Sequence, residues 1–304
     1  MKKTKDHNHT SITINEYLDY LKHLKYSPKS IKSYKHALNR FHSFLTAGLI
    51  IRVQDVTLKD IKTYRLELVD QEYSDQSISL YLRAVRKLFK YLEETRQIFI
   101  NPAANLIIPA PVKKLMPIPD ESEMSILLTQ PDLSNPTGLR DRAIMETFYS
   151  TGIRLEELLA MKVFDAEREN GTVKVIGKGN RQRVVPLGRE AGKWIKRYIT
   201  EARPVLLKNK PDQKALWLGA KGKQIHPLIV ERTVRGYGIT AGIRCNITPH
   251  GLRRACATHM LRNGAHPVQI QMLLGHSTLS ALSHYLKITI TDMKAMHEKG
   301  NPGK

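Results

Sequence analysis

Residues 248–260 read TPHGLRRACATHM. His250 and Arg253 are three apart and so share one face of a helix, while Ala257, Met260 and Leu261 look inward and Arg254 and His259 point elsewhere. Two cations on the edge of a helix with this much core character are hard to explain by solubility alone. The neighbouring segments show what that charge serves.

Three other stretches place a cationic or nucleophilic side chain at a structural boundary. In STGIRLEELLAM (150–161), Arg154 follows a glycine at a helix start, three residues ahead of Glu157. Backbone N–H groups and the helix dipole both favour an anion there, although a surface pairing with Glu157 or Glu156 uses the same residues. In GKGNRQRVV (177–185), Lys178 stands between two glycines at the tip of a predicted hairpin, a place where lysine also serves solubility. In LLGHSTLSALSHYLKI (273–288), His276 follows a glycine and Tyr285 lies nine residues on. Taken alone, a tyrosine is ordinarily a half-buried core residue. Together, two arginines, a lysine, two histidines and a tyrosine would cleave a phosphodiester without a metal. The arginines neutralise charge building on the phosphate, lysine and histidine move protons, and the tyrosine oxygen attacks.

The whole chain is suited to a polyanion. Over 304 residues, 49 Lys and Arg stand against 28 Asp and Glu, for a net charge of +21, and the excess is shared by both halves. Each cation that pairs with a phosphate releases condensed counterions, so a basic surface favours nucleic acid. No signal-peptide core follows the basic opening MKKTKDHNHT, and no run is long enough to span a membrane, which predicts a cytoplasmic protein with no membrane partner. Cys245 and Cys256 are too few and too poorly spaced for a disulfide framework or a zinc ribbon, and no metal site or cofactor is expected.

The first hundred residues read as four helices with no strand. Thr13-x-x-Glu16 reads as a capping box for the first. The second begins near Ser27–Pro28 and ends at Ala47–Gly48. Thr57 caps the third, with Ile61, Tyr64, Leu68 and Val69 as its apolar stripe. The fourth starts near Ser74 and carries Ile78, Leu82, Val85, Leu88, Phe89 and Leu92. Basic residues ride the outer faces: Lys29, Lys32, Lys35 and Arg40 on the second helix, Arg83, Arg86, Lys87 and Lys90 on the fourth. Residues 101–119, NPAANLIIPAPVKKLMPIP, hold five prolines and predict a semi-rigid linker. Beyond it come an acidic helix start at Asp120 and Glu121, further helices, and two strands, in TVKVI and RQRVVPL, around a glycine-containing turn. The expected fold is therefore mainly α: a helical domain over 1–100, a linker over 101–119, and a mixed α+β domain over 120–304 with one small antiparallel sheet and a short tail helix.

The order G-I-R-x-x-E, hairpin lysine, H-x-L-R, L-L-G-H and Y resembles the tyrosine recombinase family, and within it the bacterial Xer branch. GLRDRAIMETFYSTGIRLEELLAM, GKGNRQRVVPLG, ATHMLRNGA and LLGHS are similar to that branch almost phrase by phrase, and the likeness runs from about residue 10 to the end. The resemblance implies a SAM-like core DNA-binding domain followed by a catalytic domain. It makes Tyr285 the nucleophile of a 3′-phosphotyrosyl intermediate, Arg154 and Arg253 the clamp on the scissile phosphate, and Lys178 the acid for the leaving 5′-hydroxyl. His250 would assist proton transfer, His276 would hydrogen-bond the phosphate, and Glu157 would support the Arg154 region. Arg181 and Arg183, beside the hairpin lysine, join the basic residues of the first domain as expected DNA contacts. Two departures stand out: Arg254, Ala255 and Cys256 replace the usual His, Ser/Thr and aromatic, and Leu286 and Lys287 follow the tyrosine in place of a small residue and His.

The implied activity is site-specific recombination of double-stranded DNA at paired inverted-repeat core sites, by a homotetramer in the synaptic complex, with accessory proteins as further partners. About ten residues precede the first helix, so no arm-binding domain is expected. Ile290, Met293 and Met296 form a stripe suited to docking the tail on a neighbouring protomer. A catalytically silent DNA-binding protein of the same fold and a type IB topoisomerase-like enzyme are the alternatives. The intact set of six residues argues against the first, and LLGHS with the four-helix first domain argues against the second.

Overall fold

Ser27, Thr57 and Ser74 each end an extended segment and begin a helix by accepting a backbone N–H with the hydroxyl, from Ser30, Asp60 and Ser77 respectively. In the computed structural model, which describes residues 9–110, 117–166, 171–177, 182–208 and 213–275, these caps start α2 (Pro28–Ala47), α3 (Leu58–Asp70) and α4 (Asp75–Glu94). Thr57 and Asp60 form a reciprocal capping box. α1 (His9–His23) precedes them, and a 3-10 turn, Val53–Asp55, leads into α3. The apolar faces of α2, α3 and α4 meet in one core around Leu38, Phe41, Tyr64, Leu82, Leu88 and Phe89.

Two details depart from the sequence reading. α1 is already helical at His9, so Thr13 and Glu16 lie inside it and form no cap; Thr13 is buried, and Thr10 donates from Oγ1 to the carbonyl of Ile51 (2.8 Å). Val69 lies on the solvent side of α3, because Leu68, one residue earlier, already completes the buried face.

The chain divides into two compact units, Met1–Lys114 and Leu115–Lys304. The proline-rich stretch is not free over its whole length. Ala103 and Leu106 are buried in the core of the first unit, and Arg86 donates from Nη2 to the carbonyl of Leu106.

The second unit is organised around α6 (Pro136–Thr151), capped by Asn135 and packed against the flanking helices through Ala143, Ile144, Met145 and Phe148. α5 (Glu121–Thr129) precedes it, and α7 (Leu155–Ala160) and α8 (Val163–Ala166) follow. β1 (Thr172–Ile176) and β2 (Gln182–Pro186) pair antiparallel, with Val173 opposite Val185 and Val175 opposite Arg183. α9 (Arg189–Arg197) continues through a π-turn, Tyr198–Ala202, into α10 (Arg203–Leu207). α11 (Pro227–Thr240), α12 (Pro249–Arg262) and α13 (Pro267–Leu274) close the described part of the unit. The architecture is mainly helical with a small antiparallel sheet, and α6 and α12 pack directly on one another. Among the described residues no helix is long and apolar enough to cross a membrane. The tail stripe of Ile290, Met293 and Met296 lies outside them.

Two glycines of α11 should respond to alanine with opposite signs. At Gly236 a Cβ meets nothing within 4 Å, whereas at Gly238 it would sit 2.8 Å from Cγ1 of Ile247. Helix propensity favours alanine at both by about 0.5–1 kcal/mol. Thermal denaturation should therefore show Gly236→Ala more stable than the parent and Gly238→Ala less stable. Equal shifts would mean that packing at Ile247 is loose.

Candidate active site

α6 ends where Gly152 turns left-handed (φ 58°) and returns its N–H to the carbonyl of Phe148 (2.8 Å). Glycine is required twice over: the backbone angle disfavours a side chain, and a Cβ would lie 2.6 Å from Cδ2 of Leu274. Ile153 anchors the next step in the core, and Arg154 then opens α7 with its side chain 47% exposed.

The partner of Arg154 is Glu157, one turn on and only 3% exposed. Its carboxylate accepts four N–H groups. Oε1 takes Nη1 of Arg154 (3.0 Å) and Nη1 of Arg183 (2.8 Å). Oε2 takes the backbone N–H of Arg154 (2.9 Å) and Nη2 of Arg183 (2.9 Å). Burial alone would raise the pKa of Glu157, but the hydrogen bonds and charges of Arg183 and Arg154 hold it below the ordinary glutamate value. Arg183, expected among the DNA contacts, has both terminal nitrogens of its guanidinium on this carboxylate.

Arg253 reaches the same place from α12. The residue is 2% exposed, and its guanidinium donates from Nη1 to the carbonyl of Gly152 (2.5 Å) and from Nη2 to that of Leu274 (2.7 Å). Arg154 donates from Nη2 to the next carbonyl, Gly275 (3.2 Å). Two arginines 99 positions apart in the sequence thus converge on consecutive peptide groups at the end of α13, directly before His276. His250 is exposed in the first turn of α12, where Thr248 caps the helix by accepting from Gly251 (3.0 Å).

α12 is buried more completely than its pattern predicts, from Leu252 through His259. Arg254 and His259, expected merely to point away from the site, are 7% and 3% exposed. His259 Nδ1 hydrogen-bonds the hydroxyl of Tyr149 (2.9 Å); burial holds the imidazole below its ordinary pKa and pushes the Tyr149 phenol up to about 12. Cys256 packs beside Gly152, and burial pushes its thiol up to about 12, so it is a small apolar filler rather than a nucleophile. Among the described residues no cluster of His, Cys, Asp and Glu is placed to hold a metal ion.

Lys178, Arg181, His276 and Tyr285 lie outside the described residues. Of the basic residues of the first unit, Lys29, Lys32, Lys35, Arg83, Arg86, Lys87 and Lys90 are all exposed. Lys87 stands over the rings of Tyr26 and Tyr34, 5.5 and 5.2 Å from their centroids, and Lys90 pairs with Glu94 (3.5 Å). Arg40 is turned inward onto Glu67 (2.8 Å).

Residues 119–291 match the phage integrase family, and residues 14–95 match the N-terminal SAM-like domain of phage integrases. The chain is 32% identical over 274 residues to tyrosine recombinase XerD of Vibrio vulnificus, covering 90% of this chain and 89% of that one. It is 31% identical over 290 residues to tyrosine recombinase XerD of Staphylococcus epidermidis, covering 95% and 98%. Among solved structures it resembles the XerH site-specific recombinase bound to palindromic difH substrate in a post-cleavage complex (TM-score 0.75, 21% identity, 90% of this chain and 79% of that one). It also resembles a lambda integrase tetramer bound to a Holliday junction (TM-score 0.73, 19% identity, 90% and 76%). The chain belongs to the phage integrase family, as a tyrosine site-specific recombinase of the Xer branch.

The four-donor site around Glu157 sets a pH dependence. A depressed folded-state pKa contributes stability that is present above the ordinary glutamate range and is lost as pH falls through the folded value. Thermal unfolding should show the full-length protein more stable than Glu157→Gln near neutrality, with the gap closing on the acid side of that range. A gap that does not vary with pH would mean that Glu157 carries no charge in the folded protein.

Proposed function

We propose that the chain cleaves and rejoins double-stranded DNA through Tyr285, at paired inverted-repeat core sites held by a homotetramer. The observation that carries this reading is the convergence of Arg154 and Arg253 on the consecutive carbonyls of Leu274 and Gly275. Donors held this close together can share one phosphate, and a guanidinium presents its N–H groups in a planar fork that matches phosphate oxygens.

In the reaction, the Tyr285 oxygen attacks the scissile phosphorus and gives up its proton as the P–O bond forms. A free tyrosine has a pKa of about 10, so the arginines and His250 must favour the phenolate as it develops. The bond to the 5′-oxygen breaks, and Lys178 supplies the proton that makes it a hydroxyl. Arg154, Arg253 and His276 stabilise the charge on the non-bridging oxygens. Attack by a 5′-hydroxyl of the partner strand reverses these steps and releases the tyrosine. One phosphodiester is exchanged for another, so no water or nucleotide is consumed.

Support for the assembly comes from the relatives: a similar chain is bound to a palindromic substrate, and another is a tetramer on a Holliday junction. The exposed lysines and arginines of α2 and α4 provide a backbone-binding surface on the first unit. Among the described residues of the site nothing favours a catalytically silent DNA-binding protein or a topoisomerase.

A nicked duplex carrying a cognate inverted repeat, sought first in the DNA flanking the gene, should trap an SDS-resistant adduct with the full-length protein, in EDTA and without ATP. Tyr285→Phe should form none; an adduct that persists in that variant assigns the nucleophile elsewhere. With Arg154→Ala or Arg253→Ala, affinity at fixed salt should change little while adduct formation falls by at least about a hundredfold, the loss expected when a donor to a developing oxyanion is removed. Equal losses in affinity and cleavage would make the two arginines ordinary backbone contacts.

A further inference from the structure

Arg183 sits on the inward face of β2. It lies opposite Val175 and shares its face with Val185, and Val173, Val175 and Val185 are all buried, whereas Val184 between them is exposed. The strand's alternation therefore directs Arg183 toward the core. Its side chain is 21% exposed, less than half the exposure of Arg154, and both of its terminal nitrogens are on Glu157. The guanidinium also lies against the turn at Gly275, where a Cβ would come within 2.9 Å of Arg183 Cζ.

We propose that Arg183 is a positioning residue for DNA cleavage, which neutralises Glu157 so that Arg154 is both held in place and left with its positive charge for the phosphate. The assignment rests on the reading of Arg154 given above. Charge decides the matter. One carboxylate between two guanidiniums leaves this cluster of three with one net positive charge, beside the charge of Arg253. With Arg183 absent, Glu157 and Arg154 would cancel, and the carboxylate would compete with the phosphate for the same N–H groups. The fork geometry matters as well, because two parallel hydrogen bonds fix the plane of the carboxylate and hence the direction in which Arg154 leaves it. A role in holding DNA would instead need a guanidinium facing solvent.

The test uses the full-length chain and its Arg183→Gln and Arg183→Lys variants, with folding checked by circular dichroism. On a random-sequence duplex, the dependence of log affinity on log salt should be the same for all three. On the nicked inverted-repeat duplex, adduct formation by Arg183→Gln should be at least about tenfold slower, and Arg183→Lys, which keeps the charge without the fork, should recover part of the rate. The acid limb of the cleavage profile should move toward neutral pH in Arg183→Gln, since Arg183 is the largest influence holding the Glu157 pKa down. A purely structural contribution would leave that limb where it is. A salt slope reduced by about one unit, as expected on loss of a single phosphate contact, would overturn the proposal, as would a wild-type cleavage rate with an unmoved acid limb. If the parent chain itself forms no Tyr285-dependent adduct, the functional reading fails first and this proposal falls with it, a result visible before any variant is compared.

Discussion

A carboxylate 3% exposed between two guanidinium groups is the contact on which the candidate site depends. Stripping water from a charge costs several kcal/mol unless it is paired and its lone pairs are filled. Glu157 meets that demand with one N–H group for each of its four acceptor positions. The arrangement ties three elements to one point: the start of α7, the second strand of the sheet and, through Arg154, the end of α13. The sheet is small, yet one of its two strands carries the residue that matches this charge.

The second constraint is the turn at Gly152. Because the chain reverses there without a side chain, α13 can approach closely enough for Arg253 to bridge Gly152 and Leu274. Cys256, where relatives of this family were expected to carry an aromatic residue, lies against the same turn. A small buried thiol fills the space at little steric demand. Arg254, where the family was expected to carry His, is buried with it. The departures at Arg254, Ala255 and Cys256 therefore fall on the packed side of α12, behind Arg253; those at Leu286 and Lys287 lie outside the described residues.

Much of this was legible in the sequence. Helix starts were marked by hydroxyl caps at Ser27, Thr57 and Ser74, because capping is a local interaction between a side chain and the next turn. The two strands were legible from their β-branched residues and the glycines between them. What failed was whatever depended on tertiary position. Thr13 and Glu16 have the spacing of a capping box, but Thr13 is buried inside a helix, which no local pattern reveals. Arg183 is expected from the sequence only as a DNA contact; Val184 and Val185 beside it are both apolar, so alternation alone does not say which of the two faces the core. Only the pairing of Val173 with Val185 resolves the parity. Arg254 and His259 are expected to point away from the edge that carries His250 and Arg253; that they are also buried follows from the packing around α12, which its own residue pattern does not show.

The bridges that build the site span long stretches of chain. Arg253 meets Gly152 across 101 residues, and Arg154 meets Gly275 across 121. Closing loops of that size is slow and entropically unfavourable until the intervening elements have docked. On the ribosome, the first arginine emerges well before the helices that complete its surroundings. A chain that has made only α6 and α7 exposes Arg154 and Glu157 with neither Arg253 nor the end of α13 beside them. The contacts that gather the two arginines thus cannot close until α12 and the end of α13 have been made, whatever the order in which the rest of the unit docks.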